Sequence, residues 1–245
     1  MFGRRNRDES QGDVDEMTDD LMVDGDLDVV LDDRVDGQVQ GTGGQGPYDV
    51  ESAPDDGFAR IDLGGLRVPA PTDGELRLEV NEGGVVTGAT FVLGRNTLQV
   101  SAFAAPRREG IWQEVREEML EGIATAGGSA EIADGPLGPE LRAKVPEAPG
   151  KKGLQPARFV GVDGPRWFLR GMFTGPAATD PAAAVVLEAI FRGVVVVRGT
   201  EAMAPRDQLP LTLPREAQAA VTELEETGPR RLPAPERGPE ITEIQ

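Results

Sequence analysis

The chain has 245 residues, with 43 acidic and 25 basic side chains, a net charge of −18, and neither cysteine nor histidine. Those absences exclude disulfides, thiolate nucleophiles and zinc–sulfur sites, together with the commonest general base and transition-metal ligand. Any catalytic centre would have to come from Asp, Glu, Arg, Thr and backbone amides, a narrow set on which some two-carboxylate hydrolases nevertheless run.

The charge is concentrated at the ends. Residues 1–57 hold 17 acidic and 4 basic side chains, a net of −13, whereas residues 58–213 hold 19 and 17, a net of −2. A segment with few aromatics and this much like charge cannot bury enough apolar surface to offset its chain entropy. The run "GQVQGTGGQGP" at 37–47 adds a flexible linker. Residues 1–57 are therefore expected to be a disordered acidic tail and linker, 58–213 a single domain, and 214–245 a short polar helix with a Pro-rich end. No apolar run follows the arginines of "MFGRRNRDES", so no secretory signal is read there. The longest apolar stretches, around 182–197, fall short of a ~20-residue span and are broken by Glu188, Arg192 and Gly193. A soluble, cytoplasmic protein without membrane contact is expected.

Within the tail, "VDGDLDVVLDD" (23–33) resembles the start of a calcium loop, with Asp24, Asp26 and Asp28 at alternate positions. An EF-hand then requires glycine at the sixth position and glutamate at the twelfth, where this chain has Val29 and Val35. The calcium reading fails. Leu21, Met22, Val23, Leu27, Val29, Val30 and Leu31 are interleaved with the aspartates, a pattern common in segments that order on a partner. Leu21, Leu27, Asp28, Val30, Leu31 and Asp32 are accordingly candidate partner-binding residues. A purely solubilising tail is the equal alternative.

From residue 58 the chain reads as strands and two helices. "ELRLEV" (75–80) alternates aliphatic and charged residues as a half-buried strand does. "VVTGATFVL" and "TLQVSAFA" are two more, joined by a hairpin turn at Gly94-Arg95-Asn96. In "GIWQEVREEMLEGIATAGG", Ile111, Trp112, Val115, Met119, Ile123 and Ala126 share one helical face, and Gly127-Gly128 ends the helix. "AEIAD" and "ELRAKV" follow, separated by "GPLGP"; then come "ARFVGVD", a turn at Asp163-Gly164-Pro165, and "RWFLRGMF". That last strand is apolar on both faces, which predicts a central position. Asp180-Pro181 opens a second helix that runs through Phe191 to Gly193, before a fully buried strand "VVVVR" (194–198). Residues 209–213 and a polar helix near 215–226 complete the series.

Meanders of strands with two amphipathic helices packed on the sheet make a mostly antiparallel α+β domain. The order of elements resembles the Mog1/PsbP-like sandwich, a topology that carries no function.

The site motifs are few. "APGKKGL" (148–154) lacks both the earlier glycine and the Ser or Thr of a phosphate loop, since Val145 and Lys152 stand there. The glycines at 41–46 neither follow a strand nor open a helix. Arg107 and Arg108 precede the first helix, where its dipole prefers acids; they serve an anionic partner or are simply solvated. Arg166, beside Trp167, is a further candidate contact, with Trp167 itself read as core because it alternates with Leu169 and Phe173. Glu117 and Glu121 read as a solvated helix face. No catalytic residue, metal ligand or cofactor motif emerges.

The stretches "LGGLRVPAP" (63–71), "RREGIWQEVREEM" (107–119), "FVGVDGPRWFLRGMFTGPAA" (159–178) and "FRGVVVVRG" (191–199) resemble a family of uncharacterised bacterial proteins found in actinobacteria, domain of unknown function 3710. The resemblance spans most of 58–213 and brings no catalytic residue with it.

The expected function is that of a non-catalytic cytoplasmic adaptor whose acidic tail meets a protein with a basic surface; the net charge argues against direct nucleic-acid binding. The alternatives are a small-ligand binder or carboxylate/arginine enzyme in the α+β domain, and an acidic mimic of nucleic acid that binds basic proteins.

Overall fold

Period-two patterning builds most of the molecule. A computed structural model describes residues 29–31, 46–81, 85–107, 110–147 and 153–214. The chain divides into a unit ending at Thr212 and a second unit from Leu213, of which Leu213 and Pro214 are described. The first unit contains strands β1 (Val29–Leu31), β2 (Tyr48–Asp49), β3 (Arg60–Asp62), β4 (Leu66–Pro69), β5 (Glu75–Val80), β6 (Val86–Leu93) and β7 (Asn96–Ala104). Helix α1 (Trp112–Thr125) leads to β8 (Ser129–Gly135), β9 (Gly138–Pro146), β10 (Leu154–Gly164) and β11 (Trp167–Thr174). A 3-10 turn (Gly175–Ala178), helix α2 (Pro181–Gly193) and β12 (Val195–Val196) complete it. The fold is α+β, with mostly antiparallel sheet.

Eight strands form one antiparallel sheet in the order β1-β5-β6-β7-β11-β10-β9-β8. The strand read as apolar on both faces, β11, does lie inside it between β7 and β10. A four-stranded sheet, β2-β12-β4-β3, pairs β12 parallel to β2 and antiparallel to β4. Residues 206–211 link the two sheets. They take over pairing with the end of β7 (Ala104 N–H to Asp207 O 2.7 Å, Leu209 N–H to Ala102 O 2.8 Å), and Leu211 bridges both Val86 and Gly64.

Directly opposed residues of an antiparallel pair share a face, so the register assigns every side chain. On one face Leu141, Ala143, Ala157, Phe159 and Phe168 bury against Ile111, Trp112, Val115, Met119 and Ile123 of α1 and its lead-in. Trp112 stacks on Phe168 at 5.6 Å, and its indole donates to Pro139 O at 2.7 Å. A Cβ on Gly161 would collide with both rings, so glycine is what lets α1 approach the sheet. On the opposite face Leu98, Val100, Leu169 and Phe173 are buried together with Leu187, Ile190 and Phe191 of α2, whose Phe191 ring lies over Gly171.

The helix ends are explained by their caps. Asp180 accepts from Ala182 N–H at 2.9 Å with Pro181 in the first turn. At the end of α1, Gly127 (φ 83°) donates to Ala124 O and Gly128 to Ile123 O, the paired bonds of a glycine-terminated helix. The start of α1 has no side-chain cap of its own. Asp163, at the end of β10, accepts from Ile111 N–H at 2.8 Å and Trp112 N–H at 3.2 Å. The anion that the helix dipole calls for arrives from a strand rather than from the residues that precede the helix.

The structure adjusts several expectations. Residues 46–57, read as tail, belong to the fold: β2 pairs with β12, Trp167 donates its indole N–H to Asp49 Oδ2 at 2.7 Å, and Asp56 grips Arg60 through both oxygens at 2.8 and 2.7 Å. This bidentate guanidinium holds the Asp56 carboxyl below its ordinary range and raises Arg60 above its own. Val29–Leu31, also read as tail, pairs as an antiparallel strand along β5, with Val30 opposite Arg77. The remainder of 1–45 lies outside the described residues, as do 148–152 and the helix expected near 215–226. Of "VVVVR" the strand takes Val195–Val196, and Val197 N–H bonds Gly65 O at 2.9 Å just beyond it. Leu209 and Leu211 are buried, Leu209 through its bond to Ala102 O and Leu211 through isolated bridges to Gly64 and Val86. Ala126 is exposed, because it is the C-cap residue where the helical path ends.

Candidate functional site

The part of the sheet that α2 only partly covers, β8 to β10, presents charged side chains at the alternate positions that sequence patterning assigns to solvent. Arg142 of β9 stands directly opposite Arg158 of β10 and Glu131 of β8. Two like charges face to face destabilise a sheet unless anions intervene. Here the anions are Glu140 and Glu188. Glu140 is fully buried and pairs with Arg142 Nε at 2.9 Å and Arg158 Nη1 at 3.5 Å. Glu188 descends from α2 to accept from Arg158 Nη1 at 2.8 Å, with Arg192 one turn further on at 3.9 Å. A Cβ on Gly135 would collide with the Glu140 carboxylate, so glycine at that position makes room for the buried acid.

Arg158 is the centre of the arrangement. It is 6% exposed, its guanidinium lies 4.3 Å above the Phe173 ring, and its Nη1 edge is held by the two carboxylates. Its Nε and Nη2 have no hydrogen-bond partner among the described residues, and neither does Glu140 Oε2. Taking such ions out of water is costly and is offset only by good geometry with full pairing. These buried, unpartnered atoms are a local cost to the fold.

Above this network lies a cleft of about 570 Å³, floored by Glu131, Arg142, Lys144 and Arg158 and walled by Ala177, Ala178 and the start of α2 at Asp180 and Pro181. Lys144 is exposed in it and has no ion-pair partner among the described residues. Cations and carboxylates thus converge on one concave surface, a place where an anionic group can be held and oriented. Among the described residues no cluster of three Asp or Glu is placed to hold a metal ion, and no helix is long and apolar enough to cross a membrane.

The candidates named from sequence lie elsewhere. Leu21, Leu27, Asp28, Asp32 and Arg108 are outside the described residues. Val30 and Leu31 are in β1 on the edge of the large sheet. Arg107 is exposed, and Ala105 N–H bonds Arg166 O at 2.9 Å, so the chain leading to Arg107 runs beside Arg166. Arg166 has φ 66° in the β10–β11 turn, and its Nη2 donates to Gly199 O at 3.2 Å, a framework role. A cation that sequence reasoning passed over, Arg206, clamps the 206–211 segment to α1 by pairing with Glu118 at 2.9 Å and Glu114 at 3.0 Å. These two acids raise its guanidinium above the ordinary value. The cleft residues were missed as well. The one available sign was Glu188, a single acid inside the otherwise apolar run "PAAAVVLEAIF".

No curated protein matches the chain. The family model described as protein of unknown function DUF3710 matches residues 46–220. The chain belongs to the DUF3710 family.

Proposed function

We propose that the protein is a non-catalytic cytoplasmic interaction protein whose acidic, aliphatic amino-terminal segment binds a partner with a basic surface by adding to it as a strand. The observation that carries the reading is the pairing of Val29–Leu31 with β5: three residues within the stretch rich in aspartate and aliphatic residues take the extended form of an edge strand. Edge addition draws affinity from main-chain hydrogen bonds and specificity from alternate side chains, and the alternating Asp24, Asp26 and Asp28 supply charge for a basic partner. In the free chain β5 holds the segment; binding transfers it. The absence of histidine and cysteine supports a non-catalytic role, and the net charge of −18 disfavours direct contact with nucleic acid. The likeness to Mog1/PsbP-like sandwiches belongs to the same proposal, supported by helices on opposite faces of the antiparallel sheet.

The test is cross-linking and affinity capture with the full chain and with a chain lacking residues 1–45. Capture of a basic partner by the full chain alone is expected. Asparagine at Asp24, Asp26, Asp28, Asp32 and Asp33 should slow association most at low salt, where the Debye length exceeds ~10 Å. Serine at Leu27, Val30 and Leu31 should speed dissociation. Recovery of the same partners without residues 1–45 would move recognition to the folded domain.

A further inference from the structure

We propose that β8 is a dimerisation edge, along which a second copy of this chain lays its own β8 antiparallel across a two-fold axis at Ile132. The two large sheets then become one. β8 ends its sheet, with β9 on one side and no described strand on the other. It pairs with β9 without a bulge, from Ser129 opposite Lys144 to Gly135 opposite Gly138. A regular edge of this kind offers a row of backbone donors and acceptors to another strand, and proteins blunt such edges with proline, lysine or a bulge. "SAEIADG" has no proline, lysine or bulge. At its centre Ile132 is 46% exposed, on the α1 side of the sheet.

The residues of the strand select a second copy as the occupant. Antiparallel pairing of two identical edges within one sheet requires a two-fold axis perpendicular to that sheet. Such an axis keeps the α1 faces of both copies on one side, so only residues of the same face can oppose each other. A register centred on Glu131 sets two acids against each other, which destabilises a sheet. One centred on Ala133 sets Ile132 against Asp134, and those centred nearer the strand ends leave most of it unpaired. Centred on Ile132, the pairing uses the whole strand and joins the two isoleucines. Glu131 then opposes Ala133, Asp134 opposes Ala130 and Ser129 opposes Gly135. No like charges meet directly, and each Glu131 already has Arg142 opposite it on β9. The two clefts over β8 to β10 open on the same side of the joined sheet. Each copy carries a net charge of −18, a repulsion that salt screens. Dimerisation therefore strengthens as salt is added, the reverse of a contact between the acidic tail and a basic partner.

The experiment is sedimentation velocity of the full chain up to ~500 µM, where a reversible dimer with a micromolar dissociation constant is expected. The dimer should be tighter at about 0.5 M salt than at about 0.05 M. Ile132→Lys alters an exposed side chain, sets two cations across the axis, and should raise the dissociation constant at least about tenfold. Because the chain has no cysteine, a single introduced one reports the register. Directly opposed Cα atoms stand about 4.5–5.5 Å apart, so Ile132→Cys should form an intermolecular disulfide under mild oxidation. Asp134→Cys, which the same register holds away from its own copy, should not. A full chain that stays monomeric overturns the proposal, and protection of its β8 amides from exchange would then assign the edge to one of its own tails. A dimer that Ile132→Lys leaves unchanged overturns it too, as does a disulfide formed by Asp134→Cys as readily as by Ile132→Cys.

Discussion

The two faces of the large sheet are built on opposite principles. Under α1 the contact is mostly apolar, with Trp112, Val115, Met119 and Ile123 meeting Leu141, Ala143, Phe159 and Phe168, and one buried cation, Arg170, shares the face of Phe168. Toward α2 the apolar core under Phe191 gives way, over β9 and β10, to a buried set of ions, Glu140, Arg158 and Glu188. The first arrangement is what a stable domain needs. The second is expensive to bury and could be exchanged for apolar side chains at little cost in stability. A single strand, β10, shows both: Phe159 faces the dry core and its neighbour Arg158 faces the network.

Substitutions can break this contrast. Trp112→Ala removes the largest side chain of the α1 face and its bond to Pro139, and should cost about 3–5 kcal/mol in denaturant unfolding. Arg158→Met should cost about as much, because Glu188 then loses its 2.8 Å partner and keeps only Arg192 at 3.9 Å, while Glu140 keeps only Arg142 among the described residues. The mechanisms part in the second change. Adding Glu188→Leu to Arg158→Met should restore a large part of the loss, while no second substitution on the α1 face refills the space left by Trp112. Failure of that rescue would mean that the two faces are alike.

A smaller effect tests how α1 is seated. Asp163→Ala deletes the acceptor for the amides of Ile111 and Trp112 and should cost about 1–2 kcal/mol, with hydrogen exchange accelerated first at the start of α1. The smallest is a pH effect outside both faces. Arg60 holds the Asp56 carboxyl below its ordinary value of 3.8, so the pair stabilises the fold fully above that value and the contribution fades as pH falls toward the lowered one. An acid titration of unfolding should show this loss in the native chain and not in Asp56→Asn.

The sequence made the local structure legible and left the site hidden. Trp112, Val115, Met119 and Ile123 announce α1 through spacing alone, Asp180-Pro181 announces α2, and Gly94 (φ 61°) opens the β6–β7 turn where it was expected. Each of these is settled within a few residues. The short strands β3 and β4 were not foreseen, because a three- to four-residue strand exists only through distant partners. Arg142 and Arg158 read as the solvent side of alternating strands, and nothing nearby in sequence says that Glu188, 30 residues beyond Arg158, will cover one of them. Asp163 read as a turn residue for the same reason: the helix it caps begins 51 residues earlier.

The most direct test is the triple variant Arg158→Met, Glu140→Gln, Glu188→Leu, measured by denaturant unfolding. If the buried ions are a cost to the fold, the unfolding midpoint of the variant equals or exceeds that of the native chain. A midpoint well below the native one would make the ions a structural brace and contradict the account.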